Sequence, residues 1–117
     1  MRAIPSSELI INADGSIFHL HLKPEHLADT VILVGDPGRV AMISDYFDEK
    51  ECEIANREFL TVTGKYKGKR MTVMSTGIGI GNIDIAVTEL DALANIDFES
   101  RQLKENFRRL NLVRLGT

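Results

Sequence analysis

A single cysteine, Cys52, stands in 117 residues, which excludes an internal disulfide and any structural zinc site built on cysteines. A chain so poor in cysteine suits a reducing compartment, and the expected location is the cytoplasm. No uninterrupted apolar stretch follows Met1-Arg2-Ala3-Ile4-Pro5, so neither a signal peptide nor a membrane span is expected. An excess of basic residues is missing as well. The 14 Lys+Arg against 17 Asp+Glu give a formal charge of -3, and such a field attracts neither nucleic acid nor an anionic membrane. Any anion site must therefore be local. Internal repeats, low-complexity tracts and Pro/Gly/Ser-rich linkers are also absent, so residues 1–117 read as one domain. A hydrophobic content of 44% is enough to give that domain a core.

What is present is an alternation of strand and helix signals. In Ile17-Phe18-His19-Leu20-His21-Leu22, a period of two puts Phe18, Leu20 and Leu22 on one face and both histidines on the other, as in a short extended segment. Residues 1–16 ahead of it are expected to form a flexible or interface arm. Thr30-Val31-Ile32-Leu33-Val34 is apolar without a break, the pattern of a strand covered on both faces. Asp36 then offers a helix cap and Pro37 a first helical residue, with Val40, Ile43 and Phe47 recurring at helical spacing over 37–47. Residues 52–66 and 70–76 carry β-favouring alternation, and Lys67-Gly68-Lys69 marks a hairpin turn between them.

A longer helix is expected from Asn82 as its cap, with Ile83, Ala86, Val87, Leu90 and Leu93 on one face and Asp84 and Asp91 turned away. Leu103, Phe107 and Leu110 admit a short amphipathic helix over 99–110, although a solvated surface excursion is the stronger reading. Residues 111–117 read as another buried strand. A chain cut at such a strand should leave an edge or an apolar face in need of cover, from a partner or from further residues. The fold class that results is α/β: a mixed, largely parallel sheet flanked by helices, truncated after a core strand.

Two glycine turns follow strands: Gly35-Asp36-Pro37-Gly38-Arg39, and Gly77-Ile78-Gly79-Ile80-Gly81. In an open α/β sheet such turns line the ligand crevice, where bare backbone amides and a helix N-terminus favour an anion. Arg39 adds a guanidinium that can hold two phosphate oxygens at once. Either turn alone is more often a tight connection than a site, and Asp36 would repel an anion unless its carboxylate turns back to cap the helix. The Walker pattern is missing and the second turn lacks full dinucleotide spacing, which argues against a nucleotide cofactor.

The series Phe18-His19-Leu20, Gly35-Asp36-Pro37-Gly38-Arg39-Val40, Arg57-Glu58-Phe59, Ser75-Thr76-Gly77-Ile78-Gly79 and Arg114-Leu115-Gly116-Thr117 resembles the nucleoside phosphorylase family, in its uridine phosphorylase branch. The likeness runs from about Ile17 onward, and the hexameric purine branch is less similar around Arg57 and Ser75. The resemblance implies an α/β/α sandwich and a pentosyltransferase of nucleoside metabolism and pyrimidine salvage. Phosphate itself would attack the anomeric carbon of a nucleoside to release free base and pentose 1-phosphate. By the same resemblance, Arg39 and Arg114 are the catalytic arginines and bind phosphate together with the Gly35 amide and Thr117, which also reaches the ribose. Arg57 would enter the phosphate site of a neighbouring subunit, and His19 would touch the ribose 5′-hydroxyl there. The protein would therefore be a homo-oligomer, a dimer or a hexamer built from dimers.

The family needs no organic cofactor and takes inorganic phosphate as co-substrate. A monovalent cation at the dimer interface would fall to Glu58, the Ile78 carbonyl and Asn82, although Asn82 replaces the small hydroxyl residue expected there.

Each residue has a plainer alternative. Arg39 fits an ordinary helix arginine, Arg57 a surface strand charge, and Arg114, as an arginine within an apolar strand, the partner of a buried acid such as Glu89. His19 and His21 on one face offer a two-ligand metal edge, but no third ligand stands near them in sequence. Residues that would recognise the base and the rest of the ribose are not among the 117, so little phosphorolysis is expected of this chain by itself. The charged stretch 97–110 departs from the uridine branch and leaves the base open. The rival functions are a related nucleosidase acting on a nucleoside or nucleotide, and a non-catalytic, oligomerising phosphate-binding fragment.

Overall fold

The computed structural model describes residues 3–5, 9–77 and 80–115. At its centre is β1 (Thr30–Val34), the apolar run that the sequence marks as a strand covered on both faces. It pairs in parallel with β4 (Lys69–Ser75) on one side and with β7 (Asn111–Arg114) on the other. Strands β2 (Glu49–Asn56) and β3 (Phe59–Tyr66) extend the sheet in antiparallel fashion, and the order is β2-β3-β4-β1-β7. Parallel and antiparallel pairings thus share one mixed sheet.

Strand alternation divides the core in two. Val31, Leu33, Phe59 and Met74 pack on one face with Ala86, Leu90 and Leu93 of α2 (Ile80–Asn95). Val34, Val62 and Val73 pack on the opposite face with Val40 of α1 (Pro37–Ser44). Helix α1 starts as the sequence indicates: Pro37 opens it, and the Asp36 carboxylate turns back to accept the Gly38 amide at 2.9 Å. The charge of Asp36 is thereby directed into the helix cap.

Several local expectations change. The helix expected to be capped by Asn82 begins at Ile80, so Asn82 lies in its first turn, and Val87 is 40% exposed rather than sharing the buried stripe. The stretch 52–66 is two strands, not one, divided by Arg57-Glu58, with Arg57 in the left-handed region at φ 55. The second hairpin turn falls where expected, with Lys67 at φ 50 and Gly68 at φ 84. No helix forms over 99–110. Gln102–Leu103 (β6) pairs with Ile96–Asp97 (β5), Phe107 is 72% exposed, and Arg108 binds the Asp29 carboxylate and the Leu27 carbonyl. The surface excursion is the outcome.

Strand β7 is exposed at every residue, contrary to its reading as buried, because it ends the sheet order and is paired on one side only. Leu112 and Val113 show the apolar surface expected of such an edge. The segment 17–22 is not extended either. It is a compact turn in which the Ile17 amide donates to the Leu22 carbonyl and the His21 amide to the Ile17 carbonyl, with His21 at φ 58. Leu20 and Leu22 are buried while Phe18 is exposed, so the period of two does not hold across it. Within the stretch 1–16, Leu9 is buried in the core and Asp14 caps a turn, its carboxyl held below the ordinary value chiefly by hydrogen bonds from the Ser16 hydroxyl and amide.

Gly64 in β3 lies against the end of β2: an added Cβ would sit 2.3 Å from the Glu49 carbonyl oxygen and 2.7 Å from Phe47 Cδ2. The oxygen belongs to the backbone and cannot yield without shifting β2. Gly64→Ala should therefore lower the unfolding free energy by about 1–3 kcal/mol in chemical denaturation. An unchanged midpoint would mean that the β2 edge gives way freely.

Candidate functional site

The parallel trio β4, β1 and β7 ends at one edge of the sheet, where its exits are laced together. The Thr76 amide donates to the Val34 carbonyl at 2.9 Å, the Gly77 amide to the Gly35 carbonyl at 2.9 Å, and the Leu115 amide to the Leu33 carbonyl at 3.0 Å. Helix α1 starts from the same edge. Between them opens a cleft of about 270 Å³ lined by Val34, Arg39, Met42, Ile43 and Leu115. Crevices at the carboxyl ends of parallel strands are where α/β sheets hold ligands, because the turns there present free backbone groups.

Gly35 enters this edge without steric need for a glycine. Its φ is not left-handed, and an added Cβ would meet only the Gly77 carbonyl, at an ordinary 3.7 Å. A tight turn therefore does not account for Gly35. Gly77 is the opposite case: its φ is 74, and a Cβ there would lie 2.9 Å from Glu58 Cγ and 3.1 Å from Asn82 Nδ2. The Glu58 and Asn82 side chains thus flank one glycine. Ile78, named with them as a cation ligand, lies outside the described residues, as does Thr117.

Arg39 stands in the first turn of α1 on the cleft. Arg114 is the parallel partner of Leu33, and alternation directs it to the α2 side of the sheet while its neighbour Leu115 lines the cleft on the α1 side. The two arginines leave the same edge from opposite faces and can meet only across the strand ends. The pairing of Arg114 with Glu89 does not occur. Arg114 is exposed, so it needs no buried counter-charge, and the Glu89 carboxylate is engaged elsewhere. Among the described residues, no ion pair involves Arg39, Arg57 or Arg114.

Arg57 reaches this edge by a different route. Because β3 runs antiparallel to β4, the β2–β3 turn sits beside the end of β4, where the Ser75 hydroxyl donates to the Glu58 carbonyl at 2.6 Å and accepts the Leu60 amide at 2.9 Å. Asn56, the residue before Arg57, donates through Nδ2 to the His19 carbonyl at 2.7 Å. Asn56 thus ties the residue before Arg57 to the His19 turn, while Glu58 on its other side lies against Gly77, the backbone partner of Gly35.

Glu89 completes this second group. Its carboxylate accepts the His19 amide at 3.0 Å, the Leu20 amide at 2.9 Å and His19 Nδ1 at 2.7 Å. The sequence carried a signal for it, an acid on the buried stripe with Ala86, Leu90 and Leu93. Beside His19 lies a mainly apolar cleft of about 350 Å³, lined in part by Leu9, Ile17, Phe18 and Ala92. The two-histidine metal edge does not form, since the turn breaks the shared face; among the described residues, no three His, Cys, Asp or Glu side chains gather to hold a metal.

A mixed sheet between helices, with glycine turns and Arg39 at the carboxyl edge of its parallel strands, is an α/β architecture of the phosphorylase fold. The chain belongs to the Phosphorylase superfamily, whose family model matches residues 29–103. It is similar to a Trypanosoma brucei nucleoside phosphorylase described as showing uridine phosphorylase activity, with a TM-score of 0.78 and 46% identity over 82% of this chain and 30% of that one. It is 43% identical over 88 residues to a uridine phosphorylase of Thermococcus kodakarensis, covering 75% of this chain and 32% of that protein. A DeoD-type purine nucleoside phosphorylase of Colwellia psychrerythraea is 42% identical over 73 residues, covering 62% of this chain and 31% of its own length. The chain thus spans about a third of the length of these relatives. Among the described residues, no helix is long and apolar enough to cross a membrane.

The Asn56 contact yields a test of how firmly the His19 turn is held. Asn56→Ala should cost about 0.5–1.5 kcal/mol in stability. It should also speed amide exchange at His19 and Leu20; unchanged exchange there would show that Glu89 alone holds the turn.

Proposed function

We propose that this chain is the phosphate-binding portion of a nucleoside phosphorylase of the uridine type, in which phosphate attacks the anomeric carbon and free base leaves with pentose 1-phosphate formed. The observation that carries this reading is the carboxyl edge of the parallel strands, where Gly35, which packing does not require to be glycine, leads from β1 into α1 and Arg39 lines the adjoining cleft. Backbone amides and guanidinium groups offset the phosphate charge, hold the oxyanion for in-line attack and stabilise the charge that shifts in an oxocarbenium-like transition state. No protein nucleophile and no organic cofactor take part. Arg39 and Arg114 act as the catalytic arginines, and Thr117 assists at the phosphate and ribose.

Arg57 in the β2–β3 turn and His19 in the 17–22 turn leave from other elements than Arg39, and by the family resemblance both serve a neighbouring subunit. On this reading Arg57 completes the phosphate site of a neighbour and His19 meets the ribose 5′-hydroxyl there, so the active unit is a homodimer or a hexamer built from dimers. A monovalent cation at the dimer interface, held by Glu58, the Ile78 carbonyl and Asn82, is consistent with the approach of Glu58 and Asn82 to Gly77. The residues that select the base belong to the parts of the relatives beyond this segment, and the enzyme serves pyrimidine salvage in the cytoplasm. A purine substrate is the second reading, favoured by the nearly equal identity to the Colwellia enzyme.

The test is base release by the full-length gene product that carries this segment, from uridine and from inosine, with and without phosphate. Uracil release that rises with phosphate supports the proposal. Faster release from inosine moves the enzyme to the purine branch, and release indifferent to phosphate makes it a nucleosidase. Arg39→Ala should remove a charge-assisted contact of about 1.5–3 kcal/mol. That corresponds to a phosphate requirement raised roughly ten- to a hundredfold. An unaltered phosphate dependence would exclude Arg39 from the site. Titration calorimetry of the 117-residue chain with inorganic phosphate separates a retained half-site from a structural fragment, for which no heat is expected.

A further inference from the structure

The second group of residues holds His19 at its carbonyl, its amide and its ring. Its carbonyl accepts Asn56 Nδ2 at 2.7 Å, its amide donates to Glu89 Oε1 at 3.0 Å, and its ring Nδ1 lies 2.7 Å from Glu89 Oε2. The Phe18 ring stands edge-on to the imidazole, with centroids 4.7 Å apart and planes at 77°. Among the described residues, no hydrogen bond engages Nε2. The imidazole is half exposed at the rim of the apolar cleft, while Glu89 is buried at its floor, 9% exposed.

A buried carboxylate must be satisfied by donors, and the His19 and Leu20 amides already supply two. The ring contact adds a chemical instruction. An ionised carboxylate only accepts, so the imidazole nitrogen beside it must carry the proton. In a neutral ring the other nitrogen is then a lone-pair acceptor. This is the reverse of the tautomer that predominates for free histidine in water, where Nε2 carries the proton. The same device orients metal-bound histidines, in which a second carboxylate fixes both the ring and its tautomer.

We infer that Glu89 is a positioning residue that locks His19 in the Nδ1–H tautomer and presents Nε2 as an acceptor for a hydroxyl donor on the substrate. Resting on the proposed reading of His19, that hydroxyl is the ribose 5′-hydroxyl of a nucleoside bound mainly by the neighbouring subunit. Glu89 touches no reacting atom and acts only through His19. Glu89→Gln keeps the side-chain shape and leaves an amide oxygen for the backbone donors. Turned with its NH₂ group toward the ring, the new amide donates to Nδ1 and forces the proton onto Nε2, which removes the acceptor.

Two measurements test the inference. Imidazole ¹⁵N chemical shifts of the 117-residue chain, read with the ring neutral, should show Nδ1 protonated and Nε2 bare, with the assignment reversed in Glu89→Gln. An Nε2–H ring in the unsubstituted chain, or the same tautomer in both proteins, overturns the proposal. In the full-length gene product, Glu89→Gln should reduce kcat/KM for uridine about tenfold or more while leaving kcat/KM for 5′-deoxyuridine within about twofold. Equal losses on the two substrates would mean that Glu89 is only structural. His19→Ala separates this outcome from failure of the underlying reading. If it also fails to distinguish the two nucleosides, His19 does not meet the 5′-hydroxyl; if it distinguishes them and Glu89→Gln does not, the error lies with Glu89 alone.

Discussion

The two-sided pairing of β1 is the constraint on which the rest of the structure depends. A strand buried on both faces and hydrogen-bonded along both edges has one position and one direction available to it. Its parallel partners must then end where it ends, so the exits of β4, β1 and β7 open on the same edge. The amides and carbonyls released there are partly tied across the strands, at Gly35 with Gly77 and at Leu33 with Leu115. Those ties fix the backbone at the strand ends, and helix α1 starts from the same edge with Arg39 in its first turn. Position and charge at the crevice are thus consequences of sheet pairing, before any ligand is considered.

The second group is built by a different kind of force. Backbone bonds within 17–22 shape the His19 turn, and two side chains from elsewhere tie it down, Asn56 at the end of β2 and Glu89 in the middle of α2. Both contacts satisfy polar backbone groups of His19, so losing either leaves a donor or acceptor to be met some other way. The position of the imidazole is thereby set inside its own chain.

The sequence names Arg39, Arg57 and Arg114, and the fold shows that they leave the sheet from three places: the cleft side of α1, the β2–β3 turn, and the α2 side of β7. Which face each leaves from follows from strand register and connection, neither of which the order of motifs contains.

Strand β1, helix α1 with its cap and the hairpin turn at Lys67-Gly68 were legible because each rests on local preference: β-branched runs, an Asp-Pro start, a glycine at positive φ. The core stripe of α2 was legible through its period, apart from Val87 and the first turn. The Arg57 turn was hidden because a residue type that seldom adopts left-handed φ adopts it there, held by the register of β2 against β3. The 17–22 turn was hidden because its period of two is that of a strand, while Glu89, seventy positions away, and Asn56 tie it down as a turn. The sequence by itself determined β1, the start of α1, the core stripe of α2, the glycine–arginine motifs and the family they point to, since these depend on neighbours along the chain. Tertiary structure alone decided that Glu89 serves His19 and not Arg114, and that Gly35 is free where Gly77 is confined, because those outcomes depend on which buried charges and backbones meet across the sheet.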